Sequence, residues 1–551
     1  MKKSYLFVAL LVMFGVVGAH SHAAPQEPEK SSPPLLELKD GWYYLNGQKF
    51  FVNALGYEIG ARPGQHPYEK RTSEPQRVKN DMEVIKQAGF NAIRTWSELS
   101  EEELKRVQES GLKIVFGIGF NPAEDFSDPE IIDRYMTIAK KVLAYSKNYD
   151  CIITYLIMNE PTPQHIQSVG AQATVDLWTQ IRDLIYQEHP GIPVTISGNS
   201  AITEFVDMNL FDVYAYNSYD YDGCNYTHGY ANACRILPQM NGQGKPLLLT
   251  EFGLSVSRQE GESRVGGNTL IEQMQMLPWY YRQLLDAGAV GACPFYYADG
   301  WWKGGEPEKH NDTPEEWFGF WGYRDIEDTV GYPRPVWHAM KQYNNALICS
   351  PKNQMFYKNE IPLEMFLQPK VKSVRVIDHD NIVYTQNDLS NGYLTDSISF
   401  AGQGLSDREL IFEFYDDNQE LLKLESIIVL TSDKEVEWPK IKIVTAMKNL
   451  EGNPKITVGL QLENGSVFTL TDEVRYHFST HVGWSRGERR RWKVDPALPT
   501  QTKTDSYVYP AESPLLGLYV GTEISYGKFV KTIHDQQLIY RGTWADPIRL
   551  K

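Results

Sequence analysis

Residues 152–161 of the chain read IITYLIMNEP, an apolar run that ends abruptly in Asn159, Glu160 and Pro161. A continuous run of branched and aromatic residues, without polar alternation, is typical of a strand buried on both faces of a parallel sheet. A glutamate directly after such a run costs desolvation free energy unless a function or a partner compensates for it. This stretch therefore predicts a parallel strand that delivers a carboxylate to one end of a sheet.

Apolar runs of the same kind alternate with amphipathic helical stretches from residue 35 to residue 348. The pattern predicts strands at residues 50–55, 91–96, 113–118, 152–158, 193–197, 211–216, 246–250 and 290–295. Between them it predicts helices at residues 78–88, 101–109, 131–146, 175–188 and 270–287, with a last helix at 335–345. Strands and helices that alternate in this number are typical of a (β/α)8 TIM barrel. An open doubly wound sheet would also alternate, but its Gly-rich first turn is missing from this sequence.

The pattern changes after the barrel region. We predict a linker at residues 349–366 and then, because short alternating segments are separated by turn signals, an antiparallel immunoglobulin-like β-sandwich at residues 367–478. Residues 479–551 are polar and read as a C-terminal extension packed on the other domains. The basic run in this extension, residues 489–491, is typical of a solvated face or an inter-domain contact, with binding to a polyanion as the alternative.

The N-terminus has the features of an export signal. Two lysines precede an apolar run that is too short to span a bilayer, and small residues follow at the spacing of a cleavage site near Ala23. We therefore predict a signal peptide at residues 1–23, a flexible leader at residues 24–34 and a secreted or periplasmic protein without a membrane span.

Composition excludes several classes of partner. The 551 residues carry a net charge of −16, which becomes −18 when the two lysines of residues 1–23 are removed, so a nucleic-acid partner is not expected. Cys224 and Cys234 lie close enough in sequence to pair, whereas Cys151 and Cys293 sit in apolar runs and are expected to be buried. No Cys/His cluster has metal spacing, so we predict neither a metal nor a cofactor.

A second glutamate follows another buried run, because the seventh predicted strand ends in Thr250, Glu251, Phe252 and Gly253. The carboxyl ends of all barrel strands meet on one face, so Glu160 and Glu251 would share a pocket there. Two unrelated strand-end acids would be the alternative. A pair of carboxylic acids over one pocket is what glycoside hydrolysis requires, one to protonate the leaving oxygen and one to attack the anomeric carbon.

Further candidate residues lie at the same ends of other strands. Arg94 could hydrogen-bond a nucleophilic carboxylate, and Asn159 could bind a sugar hydroxyl. Aromatic side chains follow strands six and eight, where they could orient the nucleophile or face a pyranose ring, and each of them could equally be ordinary packing. These residues are Tyr216, Tyr219, Tyr296, Tyr297, Trp301 and Trp302.

The motifs around Arg94, Glu160 and Glu251 together resemble those of clan A glycoside hydrolases, over roughly residues 38–348. The resemblance implies a retaining (β/α)8 enzyme in which Glu160 is the acid/base and Glu251 the nucleophile. Residues 212–219 resemble strand six of the family 2 enzymes, which makes Tyr219 a better match than Tyr216 to the tyrosine that contacts the nucleophile.

The entry to the barrel, residues 42–51, resembles families 2 and 5, but the chain lacks the N-terminal sandwich domains of family 2. A barrel near the N-terminus followed by an immunoglobulin-like domain is similar to the family 158 endo-β-1,3-glucanases. We therefore predict a monomeric, secreted endo-β-glucanase that acts on a polysaccharide, with β-1,3-glucan as the favoured substrate. The alternatives are a mannanase or transglycosylase of the same clan, and a non-catalytic carbohydrate-binding protein.

Overall fold

The fold is described from a computed structural model. It describes residues 35–69, 73–198, 208–219, 244–261, 265–389, 391–449, 455–480, 487–509 and 515–541. The predicted signal peptide and leader lie outside these residues, as does the proposed pair Cys224 and Cys234. No helix in the described part of the chain is long and apolar enough to cross a membrane.

An antiparallel hairpin sheet opens the fold, and a closed barrel of eight parallel strands follows it. The hairpin strands are β1 (Leu36–Lys39), β2 (Trp42–Leu45) and β3 (Gln48–Phe50). The barrel strands are β4 (Val52–Gly56), β5 (Ala92–Arg94), β6 (Lys113–Gly117), β7 (Ile152–Asn159), β8 (Val194–Gly198), β9 (Tyr214–Asn217), β10 (Leu247–Phe252) and β11 (Gly291–Pro294). The predicted TIM barrel is therefore confirmed, and each predicted strand differs from the observed one by only a few residues at its ends.

Helices cover the outside of the barrel. They are α1 (Pro75–Gln87), α2 (Glu101–Ser110), α3 (Pro129–Ser146), α4 (Pro163–Val169), α5 (Ala171–Glu188), α6 (Leu270–Ala287) and α7 (Pro335–Tyr343). The ends of α2 show why the sequence fixes these boundaries. Ser100 and Glu103 form a capping box at its start, and Gly111 ends it in the left-handed conformation with φ 79°.

The hairpin closes the amino-terminal end of the barrel. The Tyr43 hydroxyl from β2 is fully buried and shares a hydrogen bond of 2.8 Å with Thr154, near the start of β7. Small and branched side chains of the barrel strands pack around Tyr43 and fill the interior. The opposite end, where the strands finish, is left for the polar side chains described below.

The loop after β11 and the remainder of the chain are rich in short strands. The loop contains β12 (Trp321–Gly322) and β13 (Tyr332–Pro333). The first group beyond α7 is β14 (Ala346–Ser350), β15 (Met355–Lys358), β16 (Glu360–Leu367), β17 (Ser373–Asp378), β18 (Asn381–Gln386), β19 (Tyr393–Ser399), β20 (Ser406–Tyr415) and β21 (Leu421–Ser432). The second group is β22 (Lys440–Asn449), β23 (Lys455–Glu463), β24 (Thr469–Leu470), β25 (Glu473–Ser479), β26 (Gly487–Lys493), β27 (Thr500–Val508), β28 (Leu515–Tyr526) and β29 (Phe529–Arg541).

These strands pair antiparallel, apart from the parallel pair β15 and β21, and they form two β-rich units with separate hydrophobic cores. The predicted boundaries here differ from the structure. The segment expected to be a linker contains β15 and most of β16, and the boundary at residue 478 falls inside β25. The stretch expected to be a polar extension forms β26 to β29. Leu518 and Val520 of β28 enter the core of the second β-rich unit, whereas the more exposed strands β26 and β27 pair with β25 and β23.

The basic run of the second β-rich unit is compensated by nearby acids. Arg490 contacts Glu488 and Asp505, each at 2.7 Å, and Lys493 contacts Asp472 at 2.8 Å. Exposed pairs of this kind contribute little stability, but they cancel local charge. The arrangement is that of a solvated face and does not form a free cationic patch for a polyanion.

The three cysteines in the described residues, Cys151, Cys293 and Cys349, are buried and unpaired. Cys151 and Cys293 are 2% and 1% exposed, which agrees with the expectation that both act as small apolar residues. Cys349 lies in β14, so the barrel region continues into the first strand of the β-rich units without a separate linker.

A buried ionic network fastens the first β-rich unit to the barrel. Glu425 on β21 contacts Lys423 at 2.8 Å and Arg282 of α6 at 3.6 Å. Arg282 also pairs with Asp286 at 2.7 Å and donates to the Ile348 carbonyl at 2.7 Å. Charges removed from water in this way are stable only when every partner is present, so the network makes the junction between barrel and β-rich unit specific.

We expect Glu425→Ala to lower the free energy of unfolding by about 3–5 kcal/mol, because Lys423 and Arg282 would remain buried without the carboxylate they share. Urea denaturation followed by tryptophan fluorescence measures the change. The matched control is Glu306→Ala, which breaks the exposed pair with Lys309 and should cost no more than about 1 kcal/mol. Equal losses in the two variants would contradict the role given to the network.

Candidate active site

Glu160 and Glu251 meet in one cleft at the carboxyl end of the barrel. Glu160 directly follows β7, where its amide donates to the Ser197 carbonyl at 2.7 Å, and Glu251 lies within β10. The cleft has a volume of about 230 Å³. Its lining among the described residues is Glu58, Tyr68, Trp96, Asn159, Glu160, Tyr219, Glu251, Val265, Phe295, Lys303, Glu315 and Phe318.

Three donors surround the Glu251 carboxylate. Arg94 lies 3.0 Å from Oε1, the Trp96 indole donates to the same oxygen at 2.7 Å, and the Tyr219 hydroxyl donates to Oε2 at 2.9 Å. Arg94 is completely buried, and its guanidinium also stacks on Trp96 with 3.9 Å to the ring centroid. A carboxylate that is paired with a buried guanidinium and accepts hydrogen bonds from two neutral donors is held in a fixed orientation.

Glu160 is held quite differently. Its Oε1 accepts one hydrogen bond, from the Asn217 side-chain amide at 2.9 Å. The pKa of Glu160 is raised to about 7, chiefly because burial disfavours the charged form and next because of the negative charge of Glu251. The Glu160 backbone also has φ 50°, a left-handed conformation that is uncommon for a non-glycine residue.

A hydrogen-bond network beneath the cleft orients these groups. The Asn217 side-chain oxygen accepts from Ser197 and from Thr250, the latter at 2.8 Å. Its amide nitrogen is therefore directed at Glu160 and at the Asn159 side-chain oxygen, 3.2 Å away. Arg94 donates to the same Asn159 oxygen at 2.5 Å, so one chain of bonds connects both glutamates.

One wall of the cleft is aromatic. Trp96 packs edge-on against Phe295 at 5.2 Å and against Tyr296 at 6.1 Å, measured between ring centroids. Gly56 at the end of β4 makes this packing possible, because a Cβ there would lie 2.8 Å from the Trp96 ring. The Trp96 ring is thus packed between the Gly56 backbone and the rings of Phe295 and Tyr296, and these contacts fix the indole that donates to Glu251.

The facing side of the cleft is charged. Glu58 accepts from the Trp302 indole at 2.8 Å and from the Tyr68 hydroxyl at 3.4 Å. Burial raises the pKa of Glu58, whereas the charge of Lys303 and these two hydrogen bonds lower it. Lys303 stands over the Trp302 ring, 4.7 Å from its centroid.

The structure brings five of the sequence-based candidates together: Arg94, Asn159, Glu160, Tyr219 and Glu251. Trp302 contributes through its bond to Glu58 and does not offer an open ring face to the cleft lining.

The remaining candidates do not line the cleft. Tyr216 belongs to the hydrophobic core around the barrel, because residues along β9 alternate between its interior and its helical cover. Tyr296 is 1% exposed behind Phe295, and Tyr297 packs with Tyr57 and Trp337.

Trp301 is also buried, since it stacks on His310 with 4.8 Å between ring centroids. Tyr296 and Trp301, which were expected to face a sugar ring, and Tyr216, which was expected to orient the nucleophile, are therefore buried and outside the cleft lining.

Sequence reasoning missed Trp96, Asn217, Glu58 and Lys303. Two of these carried a usable signal, because Trp96 is two residues beyond Arg94 and Asn217 directly follows the predicted sixth strand, at its carboxyl end. Glu58 lies in a loop and Lys303 in the short 3-10 helix Trp301–Gly304, and the strand pattern of the barrel does not fix the direction of either side chain.

No group of three or more His, Cys, Asp or Glu side chains in the described part of the chain is arranged to hold a metal ion.

Comparison with known proteins agrees with this geometry. Residues 36–284 match the family model for the glycosyl hydrolases family 2 TIM barrel domain, and this stretch includes both Glu160 and Glu251. Residues 36–284 are therefore similar to the barrel domain of a glycoside hydrolase family. A β-galactosidase of Vibrio cholerae is 27% identical over 184 residues, which cover 31% of this chain and 16% of that protein.

A β-galactosidase of Psychromonas ingrahamii is 24% identical over 268 residues, which cover 45% of this chain and 23% of that protein. The alignments thus span less than a quarter of these two relatives. A solved β-glucuronidase of Parabacteroides merdae, with glycerol in its active site, superimposes with a TM-score of 0.46 at 13% identity. That superposition covers 91% of this chain and 64% of the other.

We expect Glu251→Gln to lower the pKa of Glu160 from about 7, because the substitution removes a neighbouring negative charge while keeping the size of the side chain. Carbon-13 NMR of the carboxyl groups, recorded as a function of pH, measures the change. Glu315→Gln is the matched control, since the Glu315 charge acts in the same direction but more weakly. A Glu160 titration that does not move in Glu251→Gln would refute the proposed coupling.

Proposed function

We propose that the barrel hydrolyses β-glycosidic bonds with retention of configuration, with Glu251 as nucleophile and Glu160 as acid/base. The observation that carries this proposal is the unequal treatment of the two acids. Three donors, one of them a buried guanidinium, bind Glu251, whereas Glu160 has one amide partner and a pKa of about 7. A carboxyl group with a raised pKa beside a second carboxylate that is fixed by several donors is suited to the acid role, and the second to the nucleophile role.

The first step forms a glycosyl ester on Glu251. A carboxylate oxygen of Glu251 attacks the anomeric carbon while the bond from that carbon to the glycosidic oxygen breaks. The proton of Glu160 passes to the departing oxygen, so the aglycone leaves as a neutral alcohol and Glu160 becomes a carboxylate. The amide of Asn217, which bonds Glu160 at 2.9 Å, stabilises the charge that develops there.

The second step returns both acids to their starting states. Glu160 takes a proton from water, the water oxygen attacks the anomeric carbon, and the ester bond to Glu251 breaks. Trp96 and Tyr219 donate to Glu251 at 2.7 and 2.9 Å and stabilise it as it leaves as a carboxylate. Two inversions at one carbon give a product with the β configuration of the substrate.

The finer features of the activity are also proposals. The curated relatives are named β-galactosidases, which supports a β-galactoside as one substrate to test. The order of barrel and β-rich units supports the sequence-based proposal of a family 158-like endo-β-1,3-glucanase with an immunoglobulin-like domain. Mannan hydrolysis and transfer to a sugar acceptor need the same two acids. We also propose that the protein is exported and monomeric.

The catalytic assignment is tested on purified protein with aryl β-glycosides and with β-1,3-glucan, mannan and xylan. We expect Glu251→Gln to lower kcat/KM by about 10⁴-fold or more, the scale seen when a covalent nucleophile is removed. Glu160→Gln should lower it by ~10²–10⁴-fold where the leaving group needs a proton, and much less for an activated aryl group. Glu437→Gln, an exposed site in the β-rich region, is the matched control.

Proton NMR of the first product identifies its anomer. Retention with the expected losses supports the assignment. An α-configured first product, or unchanged hydrolysis in Glu251→Gln, would show that the roles are wrongly assigned.

The pH dependence follows from the protonation of Glu160. The acid must carry its proton in the free enzyme, so kcat/KM should be high at lower pH and fall as the pH rises through about 7. The Asn217 amide favours the ionised form of Glu160, so Asn217→Ala should move this alkaline limb to higher pH. Initial rates across a pH series measure it. An alkaline limb that persists unchanged in Glu160→Gln would assign it to another group.

A further inference from the structure

Glu58 is a fixed acceptor on the cleft wall that the proposed reaction does not use. It lies two residues beyond β4, the strand that ends at Gly56, and its carboxylate lines the same cleft as Glu160 and Glu251. The Trp302 indole donates to Oε2 at 2.8 Å, and the Tyr68 hydroxyl donates to Oε1 at 3.4 Å. The carboxylate is therefore bound once at each oxygen, and its orientation is set before any substrate arrives.

A carboxylate held in this way still has acceptor capacity. Its two oxygens offer about four lone-pair directions, and the two donors found among the described residues occupy one at each oxygen. A sugar hydroxyl can donate to a remaining direction, and hydrogen bonds to an ionised acceptor are roughly twice as strong as those between neutral groups. The carboxylate of a uronic acid has no proton to donate, and the charge of Glu58 repels it.

The charges of the cleft favour the same class of ligand. The described lining residues that can carry charge are Glu58, Glu160, Glu251, Glu315 and Lys303. The nearby Arg94 is already engaged by Glu251 and Asn159, at 3.0 and 2.5 Å. The remaining cation, Lys303, lies over the rings of Phe295 and Trp302, and its charge acts on Glu58.

We propose that Glu58 is a specificity-determining residue, which binds a hydroxyl of the sugar whose bond is cleaved and selects neutral pyranosides against uronic acids. This inference rests on the proposed function, because it concerns the same cleft. A neutral hexoside offers a donor to the Glu58 carboxylate. A uronide would bring a carboxylate toward Glu58, Glu251 and Glu315, and among the described lining residues Lys303 is the one cation that opposes them.

The alternative is that Lys303, and not Glu58, determines which sugars the cleft accepts. If the ammonium of Lys303 bound a uronate, the protein would prefer β-glucuronides or β-galacturonides, and Glu58 would serve only to hold Lys303 in place. The two readings predict opposite orders of substrate preference, and opposite responses to removal of the Glu58 charge. One panel of substrates therefore separates them.

The experiment compares kcat/KM for aryl β-galactoside, β-glucoside and β-mannoside with aryl β-glucuronide and β-galacturonide. It is run at about pH 6, which is below the pKa of Glu160, about 7, and above that of a free carboxyl group. We expect the best neutral substrate to exceed the best uronide by about 100-fold or more, as expected when one ligand makes a buried polar bond and the other is repelled. Glu58→Gln should reduce this ratio by roughly 10- to 100-fold, because it removes the charge but keeps the shape.

Three further variants make the result specific. Trp302→Phe keeps an aromatic ring but removes the donor to Glu58, so it should reduce the ratio in the same direction by a smaller factor. Lys303→Met should increase the ratio, because it removes the charge that opposes repulsion of a uronide. Glu437→Gln, the same chemical change at an exposed site of the β-rich region, should leave the ratio as it is.

A preference for uronides, or a ratio that Glu58→Gln does not change, would overturn the inference while leaving the catalytic assignment in place. If no glycoside in the panel is hydrolysed, the proposed function fails, and selection is then measured as binding. Titration calorimetry with D-galactose, D-glucose and their uronic acids shows whether the cleft prefers the neutral sugars and whether Glu58→Gln removes that preference. Equal or tighter binding of the uronic acids would overturn the inference independently of catalysis.

Discussion

The contact between Arg94 and Glu251 is the constraint on which the cleft depends. A completely buried guanidinium must be paired, and its partners are the Glu251 carboxylate at 3.0 Å and the Asn159 oxygen at 2.5 Å. The pair therefore fixes the ends of β5, β7 and β10 relative to one another. It also confines one negative charge next to Glu160, so burial and this charge together keep Glu160 protonated to a higher pH than a free glutamate.

The two glutamates are chemically alike, and the fold makes them different through their neighbours. Glu251 receives its three donors from the ends of two barrel strands, β5 and β9, whereas Glu160 has a left-handed backbone conformation and one amide partner among the described residues. The donors are rigid because each is packed in turn, as Trp96 is over Gly56. Preorganisation of this kind costs nothing at the moment of reaction, since folding has already fixed the dipoles.

The sequence predicted the barrel and its central pair because both depend on strong local signals. Continuous apolar runs mark buried strands, and a glutamate after such a run, as at Glu160, must have a reason to be there. The aromatic residues were harder, since a ring beyond a strand can turn toward the cleft or toward the core. The Tyr219 side chain faces the cleft, whereas the Tyr216 side chain packs in the hydrophobic core around the barrel. The β-rich region was misdivided because residues 479–541 alternate too weakly between polar and apolar for their strands to be recognised.

The ionic network around Glu425 has a consequence for how the chain is assembled. Arg282 lies on α6, within the barrel, but one of its partners comes from β21, about 140 positions later in the sequence. A barrel cut free after its last helix would retain the guanidinium and lose that carboxylate. The barrel therefore presents a surface that is completed by the β-rich unit, and a variant that lacks this unit would leave a buried guanidinium with fewer partners.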